Sequence, residues 1–129
     1  GTQRSLPLSV ISTDAAQRFA KSSVAAWNAH DLDAILSHYT ENFTFSSPLI
    51  PRIAGVPSGA LVGKPAIRAY WTLGLSLLPN LHFELLHVLC GIEGVTLVYR
   101  GHRGIVAEVF HFNREGQVEK ALACYAEPP

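Results

Sequence analysis

The chain of 129 residues has no methionine, only two cysteines and no block of like charge. Each shortage excludes something. Ten Lys and Arg side chains balance ten Asp and Glu, so the basic footprint of a nucleic-acid binder is missing and no nucleic-acid partner is expected. Cys90 and Cys124 make no disulfide or metal framework, which points to a reducing, cytoplasmic setting. No apolar run approaches membrane-spanning length and no signal-peptide pattern opens the chain, so no membrane association is expected. Gly1 stands in place of an initiating methionine, and the first residue is expected to be a processed or introduced end with any targeting residues upstream.

What is present is the composition of a compact globular protein. Apolar residues make up 48% and charged ones 16%, over a length that suits one domain, residues 1–129. Residues 1–12 have no clear period and read as a loose arm. Ser12, Thr13 and Asp14 then crowd a helix start, with Gln17 three after Asp14 as in a capping box. Ala16, Phe19, Ala20, Ser23, Val24 and Trp27 follow at helical spacing, and Ser23 is the one polar member of that stripe. A fresh cap at Asp31 opens a short second helix carrying Leu32, Ile35, Leu36 and Tyr39 on one face, with His30 at a left-handed junction. Residues 48–62 hold three prolines and two glycines and read as a long loop of the kind that forms lids or binding edges. Gly63-Lys64-Pro65 begins a third helix, with Ile67, Tyr70, Trp71, Gly74, Leu75 and Leu78 as its apolar face and Pro79 as its end.

The remainder is strand-like: 81–90, 95–101, 104–113 and 117–126, separated by turn residues. Three helices followed by consecutive hairpins indicate an α+β fold, a curved and mostly antiparallel sheet with the helices on one face. Several strands are apolar on both faces, so a homodimer through the outer sheet face is expected.

Two strand positions carry the chemical interest. In Phe43-Thr44-Phe45-Ser46-Ser47-Pro48, alternation places Ser47 on the face of Phe43 and Phe45, so an aromatic strand face ends in a hydroxyl. In 104–113, Glu108 shares a face with Val106, Phe110 and Phe112. A carboxyl there is costly when ionised, so either its pKa rises and it serves as a general acid/base, or Arg68, Arg100 or Arg103 neutralises it in a structural ion pair. Trp27 and Trp71 read as core first and pocket wall second. Among six histidines no metal-ligand spacing occurs, so no metal is expected, and His38 is kept as an acid/base partner. Neither cysteine lies beside a helix start or basic cluster that would activate it.

The order of elements, together with "SVAAWNAHDLDAILSHYTENFTFSSP", "GKPAIRAYW" and "HFNREGQVEKALACY", resembles the cone-shaped fold of the NTF2-like superfamily, in its SnoaL-like and ketosteroid-isomerase-like branches. The resemblance implies a pocket enclosed by the three N-terminal helices and the sheet. It also implies where isomerase chemistry would sit: the general-base aspartate falls on Ser47, the oxyanion-hole tyrosine on Ser23, and the protonated aspartic acid on Glu108. Only one of the three survives as a carboxyl, so steroid isomerase activity is not expected. What the resemblance does imply is a cofactor-independent isomerase- or cyclase-type enzyme, acting on a hydrophobic, carbonyl-bearing small molecule. Glu108 would move the proton, and Ser23, Ser47 and Tyr125 would supply hydrogen bonds, with Phe45 and Phe110 lining the pocket. Each of these also has a plain packing role as the alternative, and the superfold hosts binding proteins and dimerisation scaffolds as well.

Overall fold

A computed structural model describes residues 10–129. Most of the arm expected over 1–12 therefore lies outside the described residues. Its last three residues are tied down: Val10 bridges Ile92, the Ile11 amide donates to Gly91 O at 3.0 Å, and Ser12 caps the first helix.

Helix α1 (Thr13–Asn28) starts one cap earlier than the sequence suggests. Ser12 Oγ accepts from the Ala15 amide at 3.1 Å, so Gln17 is too far along to close a capping box on it. The small residues Ala16, Ala20 and Ser23 are the buried stripe, while Phe19, Val24 and Trp27 are half-buried. Asp31 caps α2 (Leu32–Leu36) through the Ala34 amide at 3.1 Å. His30 has φ +56°, as its place between the two helices requires.

The end of α1 also fixes what comes much later. The Asn28 amide group donates to Phe83 O at 3.1 Å and accepts from Phe83 N at 2.7 Å, and His30 Nε2 donates to Leu81 O at 2.9 Å. These bonds hold residues 81–83 as a clamped lead-in, so the first hairpin strand begins at Glu84 rather than at residue 81.

Strand β1 (Tyr39–Ser46) follows α2. The expected loop over 48–62 is partly ordered into α3 (Ile50–Ala54) and β2 (Ala60–Val62), which gives four helices among the described residues where the sequence suggested three. Proline at the start of α3 and left-handed Gly55 at its end are the reason, a start-and-stop pair within a span short enough to hide the helical period. Helix α4 (Lys64–Leu77) has Gly63 at its N-cap with φ +90°, and then come β3 (Glu84–Gly91), β4 (Gly94–Gly101), β5 (Gly104–Phe112) and β6 (Val118–Tyr125).

Among the described residues one six-stranded sheet results, in the order β2-β1-β6-β5-β4-β3. Every pairing is antiparallel except β1 with β6. Inward residues alternate along the central strands, with Val95, Leu97 and Tyr99 on β4, Val106, Glu108 and Phe110 on β5, and Ala121 and Ala123 on β6. Trp71 of α4 meets Trp27, Tyr39, Phe43 and Phe45, with ring centroids 5.0 to 5.8 Å apart. That aromatic hub joins α1, α4 and β1 above the sheet.

Candidate functional site

The hairpin registers place Glu108. Glu108 pairs with Leu97 on one side and Ala123 on the other, while Val106 pairs with both Tyr99 and Tyr125. Tyr99 and Tyr125 are therefore the same-face diagonal neighbours of Glu108 on its two flanking strands, close enough for phenols to reach it. Tyr99 does so: its hydroxyl donates to Glu108 Oε1 at 2.8 Å.

Glu108 is buried, and burial pushes its carboxyl from 4.5 up to about 7, against a smaller downward pull from the Tyr99 hydrogen bond. No arginine neutralises it among the described residues. Arg68 pairs with Asp33, and Arg100 with Glu84 at 2.9 Å. Arg103 lines the same cavity but lies beyond ion-pair distance of Glu108. Replacing Tyr99 by Phe removes the one hydrogen bond that favours the carboxylate. In Tyr99→Phe, a carbon-13 NMR titration of the Glu108 side chain should give a midpoint above that of the native protein; an unmoved or lower midpoint would contradict the assignment.

The cavity beside Glu108 has a volume of about 100 Å³ and is walled mainly by Trp27, Phe45, Trp71, Leu75, Leu78 and Phe83. Ser47, Tyr70, Tyr99 and Tyr125 bring hydroxyls to it. Ser47 Oγ accepts from the Leu49 amide at 3.2 Å, which turns the chain from β1 into α3. The same hydroxyl pulls the Tyr70 and Tyr125 phenols down, partly offsetting the rise that burial causes in each. Tyr125 is pushed up to about 12, by burial first and the Glu108 charge second. The ordered part of 48–62 supplies Leu49 and Ile53 to the wall.

The structure thus gathers Glu108, Trp27, Phe45, Ser47, Trp71 and Tyr125 around one cavity. Three other candidates lie elsewhere. Ser23 is buried in the small-residue stripe of α1 and does not line the cavity. Phe110 packs against Phe19, with centroids 4.9 Å apart, one inward position further along β5. His38 lies in a separate depression with Phe19, Ser22 and Phe112. Its Nδ1 donates to Ile35 O at 3.2 Å, leaving Nε2 to accept from the Ser22 hydroxyl at 2.9 Å. As an acid/base partner of Glu108 it is in the wrong place.

Two residues of the cavity lining, Tyr99 and Tyr70, and one buried residue that feels the Glu108 charge, Tyr39, escaped the sequence reading. Tyr99 was legible, since counting back from the Gly101–Gly104 turn puts it diagonal to Glu108. Tyr70 appeared only as a helix-face residue. Tyr39 ends up fully buried, its hydroxyl without a hydrogen-bond partner among the described residues and its pKa raised by burial and then by the Glu108 charge. Nothing local to Tyr39 announces this, because α2 ends before it and a strand begins. Among the described residues no group of three or more His, Cys, Asp or Glu side chains could hold a metal ion, and no helix is long and apolar enough to cross a membrane.

The SnoaL-like domain family matches residues 20–121, most of the chain. The protein belongs to the SnoaL-like family. A SnoaL-like protein of unknown function from Burkholderia thailandensis is 50% identical over 92% of this chain and 100% of its own, with a TM-score of 0.89. Bal32a, from a soil-derived mobile gene cassette, is 23% identical over 88% of this chain and 91% of its own, with a TM-score of 0.73. SalBIII, an epoxide hydrolase/cyclase-like enzyme with a role in pyran ring formation in the polyether salinomycin, is 20% identical over 88% of this chain and 92% of its own, at a TM-score of 0.67. The last two share the fold. No curated protein matches the sequence. For this SnoaL-like chain the α+β fold of the NTF2-like superfamily is thereby established, and with it the expected placement of helices over one sheet face.

Proposed function

We propose that this SnoaL-like protein is a cofactor-independent proton-transfer enzyme of the isomerase or cyclase type, with Glu108 as its acid/base on a hydrophobic, carbonyl-bearing substrate. The observation that carries the reading is a buried carboxyl with a pKa of about 7, hydrogen-bonded to a phenol rather than paired with a cation, at the wall of an apolar cavity. A group with that midpoint is divided between both protonation states near neutral pH, where a general acid/base is most effective. The Tyr70 and Tyr125 phenols, held protonated by burial, are donors for a carbonyl oxygen that gains charge as the proton leaves its α-carbon. That SalBIII, of the same fold, is a cyclase-like enzyme agrees with this class of reaction without fixing the substrate.

The direct test is deuterium uptake at the α-carbon of small cyclic ketones in D₂O, followed by proton NMR with and without the protein. Exchange faster than in buffer supports the reading. Binding of the ketone without exchange would replace it with that of a non-catalytic carrier for apolar ligands.

We also infer a homodimer, and the two exposed free thiols, Cys90 and Cys124, suit a reducing cytoplasmic setting. The sheet face turned away from the helices carries Val98, Val109 and Leu122, and Leu122 remains 39% exposed. A lysine at that position would place a charge on the apolar face. Sedimentation velocity should find the native protein dimeric and Leu122→Lys shifted to monomer; a native monomer at tens of micromolar would end this inference.

A further inference from the structure

The cavity contains one permanent cation that proton transfer does not use. Arg103 is half-buried in the turn between β4 and β5 and lines the same cavity as Glu108. Among the described lining residues Glu108 is the only acid and Arg103 the only Lys or Arg; the rest are apolar, hydroxyl-bearing, glycine or His102. Arg103 has no carboxylate within ion-pair distance among the described residues, and residues 1–9 contain no Asp or Glu that could reach it. Burial and then the Arg103 charge lower the pKa of His102, which leaves Arg103 as the permanent cation of the described lining. Tyr125 lies within reach of both charges: after burial, Glu108 pushes its phenol up and Arg103 pulls it down. A cation at one place in the lining, an acid at another and a phenol sensing both define a direction across the cavity.

A half-desolvated guanidinium beside apolar walls lacks the anion that would compensate it. We propose that the cavity takes an apolar carboxylate, whose carboxylate group is held by Arg103 while its ring or chain lies among Trp27, Phe45, Trp71 and Phe83. The planar fork of the guanidinium matches a carboxylate with two parallel N–H donors. The cavity is partly open, and its volume of about 100 Å³, below the ~150 Å³ of a closed cavity that takes up benzene, suits a short chain, or a single ring that extends toward the opening, with its carboxylate on Arg103. The inference deepens the proposed function, since it names the substrate class of the same site: a carbonyl compound that also carries an acid group.

Benzoate and benzamide are matched in shape and differ in charge, so they make the test. Isothermal titration of the full chain at pH 6, where Glu108 is mostly protonated, should give benzoate about ten- to a hundredfold the affinity of benzamide. Arg103→Gln should bring the two to equal affinity, and Arg103→Lys should keep part of the preference. Equal affinities in the native protein, no benzoate binding at millimolar concentration, or a preference that survives Arg103→Gln would each overturn the proposal. Binding is read here without turnover. Failed deuterium exchange with an intact benzoate preference would sink the acid/base role alone, and exchange without the preference would sink the carboxylate site alone.

Discussion

Glu108→Gln is expected to lower protein-catalysed α-proton exchange by about two to four orders of magnitude, the usual range for loss of a positioned general acid or base. Glutamine keeps the shape of the side chain and an oxygen that can accept from the Tyr99 hydroxyl at the same 2.8 Å contact. What it lacks is a lone pair basic enough to take a proton from carbon. The loss should therefore appear in the rate at saturation more than in affinity for the ketone. The native pH profile gives a second check. A general base must be ionised, so the native rate should rise with pH through about 7 and then level off. The three phenols near Glu108 are all raised above 10.0 and cannot produce that inflection. Exchange undiminished in Glu108→Gln, or a native profile with no inflection near neutrality, would remove Glu108 from the mechanism.

The fold was largely legible because its signals are local. Asp31 beside an apolar-periodic run, Gly63-Lys64-Pro65 before another, and alternation in the last four strands each identify an element without distant information. The parts that were not legible depend on contacts far along the chain. The lead-in at residues 81–83 looks like strand in composition, yet Asn28 and His30 use its backbone groups, so the sheet starts later. α3 is five residues long, too short for a period to show. The site divides in the same way. Glu108 was readable because charge on an aromatic strand face violates the pattern around it. Phe110 has the same parity and still misses the cavity, since position along a strand as well as face decides what lines a pocket. Ser47 was readable as a hydroxyl ending an aromatic strand face, and that hydroxyl serves a turn and two phenols at once.

The burial that raises Glu108 must also appear in the stability of the protein. The folded chain holds the Glu108 proton up to about pH 7, whereas the side chain in water releases it near 4.5. Between those values unfolding releases a proton, so stability is greatest below about pH 4.5, falls as pH rises toward 7, and is flat above that as far as Glu108 is concerned. The interval corresponds to about 3 kcal/mol. Other groups titrate over the same range: His102, with its lowered pKa, favours the folded state less as pH falls through its midpoint. The difference between native protein and Glu108→Gln removes such shared terms, because both chains carry them. Urea denaturation in steps from pH 4.5 to pH 8 should show the variant gaining on the native protein by about 3 kcal/mol, with most of the gain complete by pH 7. A difference that stays constant across the window would mean that Glu108 ionises as an ordinary carboxylate in the folded protein, with its charge compensated in the cavity. Loss of activity in Glu108→Gln together with this gain in stability above pH 7 would identify a carboxyl kept at a thermodynamic cost for its chemistry, whereas an ion-paired structural residue would lose stability on the same substitution.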